Sequence, residues 1–264
     1  MALNSIALRI GRPRLALLEL LDLRAQWRPF VLFLLVGGAI GGLAMALLAT
    51  PLWIATAGTL AGLLVPLVAK WNDDRLRYGQ PAMVLSILVY LQAFHTFEHI
   101  VQWFQYHILR WPSFVSSGLL SAANAEWVHF VWNWGFLAVA AYMFLNGMRN
   151  RWAVLLLVWS TAHTLEHSYM MVRYLDTLHQ LGALGVSGVA AQGLPGIIGR
   201  DGWLATADAT QNTLLCRLPG LTTAVRLDVH FWWNVGEIGL LLPAAERFAQ
   251  QLRPGASLRD GRRN

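Results

Sequence analysis

Cysteine is almost missing. Cys216 is the only one in 264 residues, which excludes an intramolecular disulfide framework and any thiolate-rich metal site. Charge is scarce as well: Asp, Glu, Lys and Arg make up 13% of the chain, about half the share of a soluble domain. Basic residues outnumber acidic ones, 20 to 14, but they are scattered between apolar runs and form no patch, so no nucleic-acid partner is expected. No cleavable leader is expected either, because the stretch from Arg9 to Arg28 is polar and the first long apolar run follows it.

Apolar surface is what the chain has in excess. The nine apolar residue types reach 56%, and 23 glycines add to them, far above the needs of a soluble core of this length. The fold expected is therefore an all-α integral membrane protein. Six apolar runs, at about 30–49, 52–69, 82–105, 127–147, 152–173 and 228–248, are each long enough to cross a hydrocarbon core of about 30 Å. The first two, parted only by Thr50-Pro51, form a transmembrane hairpin (residues 29–70) with little chemistry, a scaffold whose Gly37, Gly38, Gly41 and Gly42 allow close helix approach. Residues 1–28 hold five arginines and a short amphipathic run, Leu15 to Leu23, expected to lie on the membrane surface or to fray as a basic tail. Residues 251–264 form a second basic tail.

Lys and Arg set the orientation. With both termini in the cytoplasm, inner segments hold 15 of them and outer segments five, the bias that the positive-inside rule requires. A bacterial inner (plasma) membrane is the expected location. Two loops then lie outside. The longer, 174–227, is rich in glycine and poor in charge, and is expected either to pack on the outer mouth of the bundle as a lid or to be disordered.

The chemistry is concentrated in a repeat. His95-Thr96-Phe97-Glu98-His99 is matched by His163-Thr164-Leu165-Glu166-His167, and His129-Phe130-Val131-Trp132-Asn133 by His230-Phe231-Trp232-Trp233-Asn234. Residues 81–150 and 151–250 thus read as two helix pairs in direct repeat, forming a four-helix bundle. In each H-x-x-E-H string the i, i+3 and i+4 residues share one helix face. At 1.5 Å per residue, His95 and His163 reach similar heights, while His129 and His230 enter from outside in the first turns of their helices. All four stretches meet at one level in the outer half of the bilayer.

Ionisable groups at that depth are costly, so they face the bundle interior and serve a function by default. Six imidazoles at this spacing suit a dinuclear metal centre ligated by His95, His99, His129, His163, His167 and His230. Glu98 and Glu166 are its candidate bridging or catalytic carboxylates, with Asn133, Asn234 and Glu237 around it. Two transition-metal ions are expected, iron ahead of copper or zinc. Haem is the lesser alternative, since histidine pairs four apart on one helix fit a multinuclear cluster better. Helix gluing by His–Glu and His–Asn hydrogen bonds is the competing structural explanation. His107 and His179, at helix ends, are not expected as ligands.

The H-x-x-E-H order occurs in a class of soluble zinc peptidases, and the H-x-x-x-H spacing in one box of membrane desaturases and hydroxylases. Nothing else of the former fold is present and the H-x-x-H-H boxes of the latter are missing, so no family is assigned. Trp53, Trp71, Trp103, Trp111, Trp127 and Trp152 fall where interfacial anchors belong, and Trp132, Trp134, Trp159, Trp232 and Trp233 flank the polar cluster. The function expected is a membrane oxidoreductase, of oxygenase, hydroxylase or desaturase type, acting on a lipidic substrate with a redox partner. The alternative is a non-catalytic metal- or haem-binding subunit or sensor of a membrane complex. A conducting path is disfavoured, because the inner halves of the helices are apolar.

Overall fold

A computed structural model describes residues 15–23, 25–187 and 193–252. It is all-helical, 75% helix with no strand among the described residues. A short helix, α1 (Ala16–Leu20), precedes α2 (Trp27–Leu48), α3 (Leu52–Tyr78), α4 (Gln80–His107), α5 (Glu126–Leu145) and α6 (Arg151–Ala183). A single turn, α7 (Trp203–Thr206), comes before the last long helix, α8 (Arg226–Leu252). Four helices, α2 to α5, are long and apolar enough to cross a membrane, which marks a membrane protein.

The boundaries follow local chemistry. Ala49 ends α2 in the left-handed region (φ 52°), and Pro51, which cannot continue a helix, N-caps α3. Gly79 (φ 88°) breaks α3 from α4, whose first turn carries Pro81. Asn150 caps α6 by accepting from the amides of Trp152 and Ala153, both at 3.1 Å. Two helices outrun their apolar stretches. α3 continues through its charged end because Lys70 is buried there, donating to the Leu20 carbonyl, to Asp74 and to Ser86. α6 continues past residue 173 because its next turns are polar but hold no proline, with Gln180 donating to Asp176 at 2.9 Å. It stops only where Gly185 (φ 74°) reverses the chain.

The hairpin of α2 on α3 uses two of its four glycines. A methyl at Gly37 would come within 3.1 Å of Thr59, and one at Gly41 within 3.0 Å of Ala55, whereas Gly38 and Gly42 meet nothing. α4, α5, α6 and α8 share one apolar core: Leu85 and Val89 from α4, Phe136 and Met143 from α5, Leu156 from α6, Leu241 and Phe248 from α8. That core lies at the end of the bundle bearing α1 and the 146–150 turn. Loops 108–125 and 193–225 gather at the other end, called here the loop end.

One expectation is narrowed and one corrected. The Leu15–Leu23 run is not a frayed tail: it shortens to α1 and docks on α8, where Glu246 accepts from the amides of Ala16 (3.1 Å) and Leu17 (2.7 Å). Residues 1–14 and 253–264 lie outside the described residues. Trp71 is not an interfacial anchor; it is buried edge-on to Tyr90, whose hydroxyl donates to the Leu21 carbonyl at 2.7 Å.

Candidate metal centre

All six histidines of the matched strings meet near the loop end. Five are buried and His95 is nearly so. Their rings form a continuous network. His95 and His99 are 4.7 Å apart, centre to centre, and His163 and His167 are 4.9 Å apart. His129 lies 5.2 Å from His167 and 5.7 Å from His99, while His230 lies 5.0 Å from His167 and 5.8 Å from His99. Imidazoles bound to one tetrahedral ion at about 2.0–2.1 Å hold their ring centres roughly 5 Å apart. The spacing is therefore compatible with ligands around ions, although packed rings share it. His95, His99 and His129 in particular offer nitrogens that all lie within 4.8 Å of one another.

The hydrogen bonds fix which nitrogen of each ring is left over. His99 Nδ1 donates to Gln102 Oε1 at 2.9 Å, and Gln102 is held in that orientation because its own NH2 donates to Asn124 at 2.7 Å. His163 Nδ1 donates to Glu237 at 2.9 Å. His230 Nδ1 donates to the Arg226 carbonyl at 3.0 Å, and His129 Nδ1 faces the Ala125 carbonyl at 3.5 Å. Each of these rings thereby presents Nε2 as an acceptor. Nε2 of His95, His99, His163 and His230, and both nitrogens of His167, are buried without a hydrogen-bond partner. Buried orphan acceptors are rare and costly, on the order of 1–3 kcal/mol each.

Hydrogen bonds among the described residues join helices through the cluster along one chain, His163–Glu237–Gln92–Asn234, and not as a ladder that uses every histidine. Among the described residues, His163–Glu237 is the one His–carboxylate bond within the cluster. Asn133 and Asn234 donate to the carbonyls of His129 and His230, both at 2.9 Å, and touch no imidazole. Glu237 is bridged through Gln92, which donates to it at 2.9 Å and to Asn234 at 3.3 Å. Gln92 and Gln102 escaped the sequence reading. Their signal was helical register, since each sits three residues from a histidine on α4, on the same face.

Glu98 and Glu166 do not point into the cluster. Glu98 accepts from the Leu120 amide at 2.7 Å. Glu166 accepts from the amides of Ile197 and Ile198, at 3.1 and 3.3–3.4 Å. Each carboxylate occupies the space where a side chain on a loop glycine would stand, Gly118 for Glu98 and Gly196 for Glu166. Both glutamates thus tie the loops down onto the bundle. Arg226 adds a third tie, donating to the Leu194 carbonyl and to Glu126, both at 2.5 Å. The segment 193–202 is packed on the loop end in this way; residues 188–192 of the same loop lie outside the described residues.

Aromatic rings close the sides. Trp132 lies 4.7 Å from His95, and Trp233 stacks on His163 at 5.1 Å with the planes 5° apart. Trp159 donates to the Trp233 carbonyl at 3.0 Å and fills the space over Gly236. Trp134 and Trp232 face outward. His107 is engaged by Asp228 at 2.6 Å, away from the cluster. A cavity of about 750 Å³ descends between the loops, and His99, His129 and His230 line it.

No known family, no curated protein and no solved structure matches this chain.

Proposed function

We propose that this protein is a membrane metalloprotein whose six histidines hold two transition-metal ions. The observation that carries this reading is the set of buried, unpartnered nitrogens in rings already turned by their other nitrogen. Metal-bound histidines characteristically donate their second N–H to a carbonyl or carboxylate, and His99, His163 and His230 do so here. Charge supports it as well. Among the described residues, Glu98, Glu166 and Glu237 form no close ion pair with Lys or Arg, although Arg226 acts on Glu166 at longer range, so bound metal ions would meet negative charge that is largely uncompensated.

In this reading six helices cross the membrane. α6 and α8 are less apolar than α2 to α5, and the core that they share with α4 and α5 keeps their ionisable residues inside. The matched strings make α4–α5 and α6–α8 two units of one direct repeat, with the termini in the cytoplasm and the loop end outside. All-imidazole ligation suits iron, copper and zinc. A redox-active pair in the bilayer would serve an oxidoreductase of oxygenase, hydroxylase or desaturase type acting on a lipidic substrate. One observation favours the second reading, a non-catalytic metal-binding subunit: both repeat glutamates accept from loop amides, which leaves Glu98 Oε2 as the one unpartnered carboxylate oxygen of the two.

The test is elemental analysis of the purified protein beside its His99→Ala/His167→Ala variant. About two equivalents of iron or copper, lost in the variant, are expected. Zinc would remove the redox reading. Absence of metal from the native protein, even after it is offered in excess, would remove the metal reading.

A further inference from the structure

The cavity at the loop end ends on the cluster itself. Three of the six imidazoles, His99, His129 and His230, line it, and it measures about 750 Å³, the size of a small-molecule site. On the metal reading above, on which this step rests, ions seated among these rings are exposed to the cavity on that side.

The ligand chemistry follows from charge. The imidazoles are neutral donors, and neither Glu98 nor Glu166 is turned toward the ions. Two divalent ions bring four positive charges, whereas the carboxylates near them without a basic partner number at most three. One of those three, Glu237, acts only through His163. A closed site of this kind would leave positive charge uncompensated in a membrane, which is expensive. The cavity walls favour the same sign of ligand. Ser117, Ser121 and Asn124 bring polar groups, and the first turn of α8 lines the cavity; there the positive helix end is offset in part by Asp228, and Arg226 is paired with Glu126. Of the acidic lining groups, Glu166 accepts from the two loop amides, and Asp201 is exposed beside Arg200 at 3.7 Å, away from the buried rings.

We infer that the metal pair keeps an open coordination position toward this cavity and binds there a ligand bearing one anionic group, a carboxylate or a small oxyanion. Such a group can belong to a soluble molecule or to an acyl chain whose tail lies along the bundle.

The test uses the full chain in detergent, loaded with Co(II), whose visible spectrum reports its coordination. Azide is the first probe. A saturable spectral change is expected, and Ser121→Trp, which places a ring in the cavity, should weaken azide at least about tenfold while retaining cobalt. Acetate and decanoate then separate the two sources. Equal affinity assigns a soluble ligand, and much tighter decanoate binding assigns an acyl chain. Cobalt uptake with no response to azide, or azide affinity unchanged in Ser121→Trp, would overturn the open position while leaving the metal reading standing. Failure to take up cobalt, or any other transition metal, would overturn the metal reading and this inference with it.

Discussion

The histidine pair on α4 and the pair on α6 have one sequence pattern and nearly one set of neighbours. Trp132 covers His95 as Trp233 covers His163. Thr96 donates to the Asn234 carbonyl at 3.5 Å as Thr164 does to that of Asn133 at 3.3 Å. Glu98 holds one loop and Glu166 the other. The pairs part company at the orienting hydrogen bonds. On α4 the second histidine, His99, is held by Gln102, while the first, His95, has no hydrogen-bond partner among the described residues. On α6 the first, His163, is held by Glu237, and the second, His167, has both nitrogens free. The sequence explains the exchange. The position on α5 that matches Glu237 is Phe136, and the position on α6 that matches Gln102 is Met170. What the matched strings encode is common to both pairs; what tunes the individual rings comes from residues outside them. On the proposed metal reading, two seats built this way would not be equivalent.

The largest expected effect breaks that comparison at its centre. His167 has His129, His163 and His230 within 5.2 Å, so His167→Ala should strip nearly all bound metal. His95, at the edge of the network with only His99 and His129 within 5.8 Å, should cost about one of the two ions when replaced by alanine. Metal equivalents per chain, measured on both purified variants, decide it; equal losses would mean that the seats are shared and the asymmetry has no consequence. A smaller effect sharpens the comparison. Glu237→Gln keeps the shape but removes the carboxylate that orients His163. Loss of such a partner typically weakens metal binding 10–100-fold. In a two-step titration only one step should move by that factor, with Gln102→Leu moving the other. Both steps shifting together in either variant would sink the idea of separate seats.

Much of this is legible in the sequence. The all-helical membrane class followed from apolar run length, and the gathering of six histidines followed from their periodicity on helices of known rise. The directions of Glu98 and Glu166 were not legible. Register places a carboxylate on the same helix face as its histidines, but whether it turns inward or up to a loop depends on amides 22 and 31 residues away. The burial of Lys70 was hidden for the same reason. A lysine at the end of an apolar run reads as a snorkelling charge, yet α1 supplies a carbonyl and Asp74 a carboxylate that pay for its burial. Short-range pattern gave the elements; contacts between distant segments gave the side-chain partners.

The smallest effects expected concern the loop glycines, and they separate two physical causes. Gly118→Ala and Gly196→Ala each drive a methyl into a glutamate carboxylate, so both should loosen the loop above and speed amide exchange at Leu120 or at Ile197 and Ile198. Gly118 also has φ 73°, where a side chain adds about 1–2 kcal/mol of backbone strain; no such strain acts at Gly196. Shortening the carboxylate should therefore restore the two variants unequally. In Gly196→Ala/Glu166→Ala the collision is gone apart from Met170 Sδ at 3.0 Å, the far end of a flexible side chain. Protection of the segment near 203–206 should then return to the level of Glu166→Ala alone. In Gly118→Ala/Glu98→Ala a contact with Gln102 Cγ at 3.1 Å is left, comparable to that of Met170, but the strain persists and protection near 121–124 should stay below that of Glu98→Ala. Hydrogen exchange on the four variants and the two single glutamate variants reads this directly. Equal recovery at both loops would show that backbone conformation plays no part, and no loss of protection in either glycine variant would mean that the glutamates do not hold the loops.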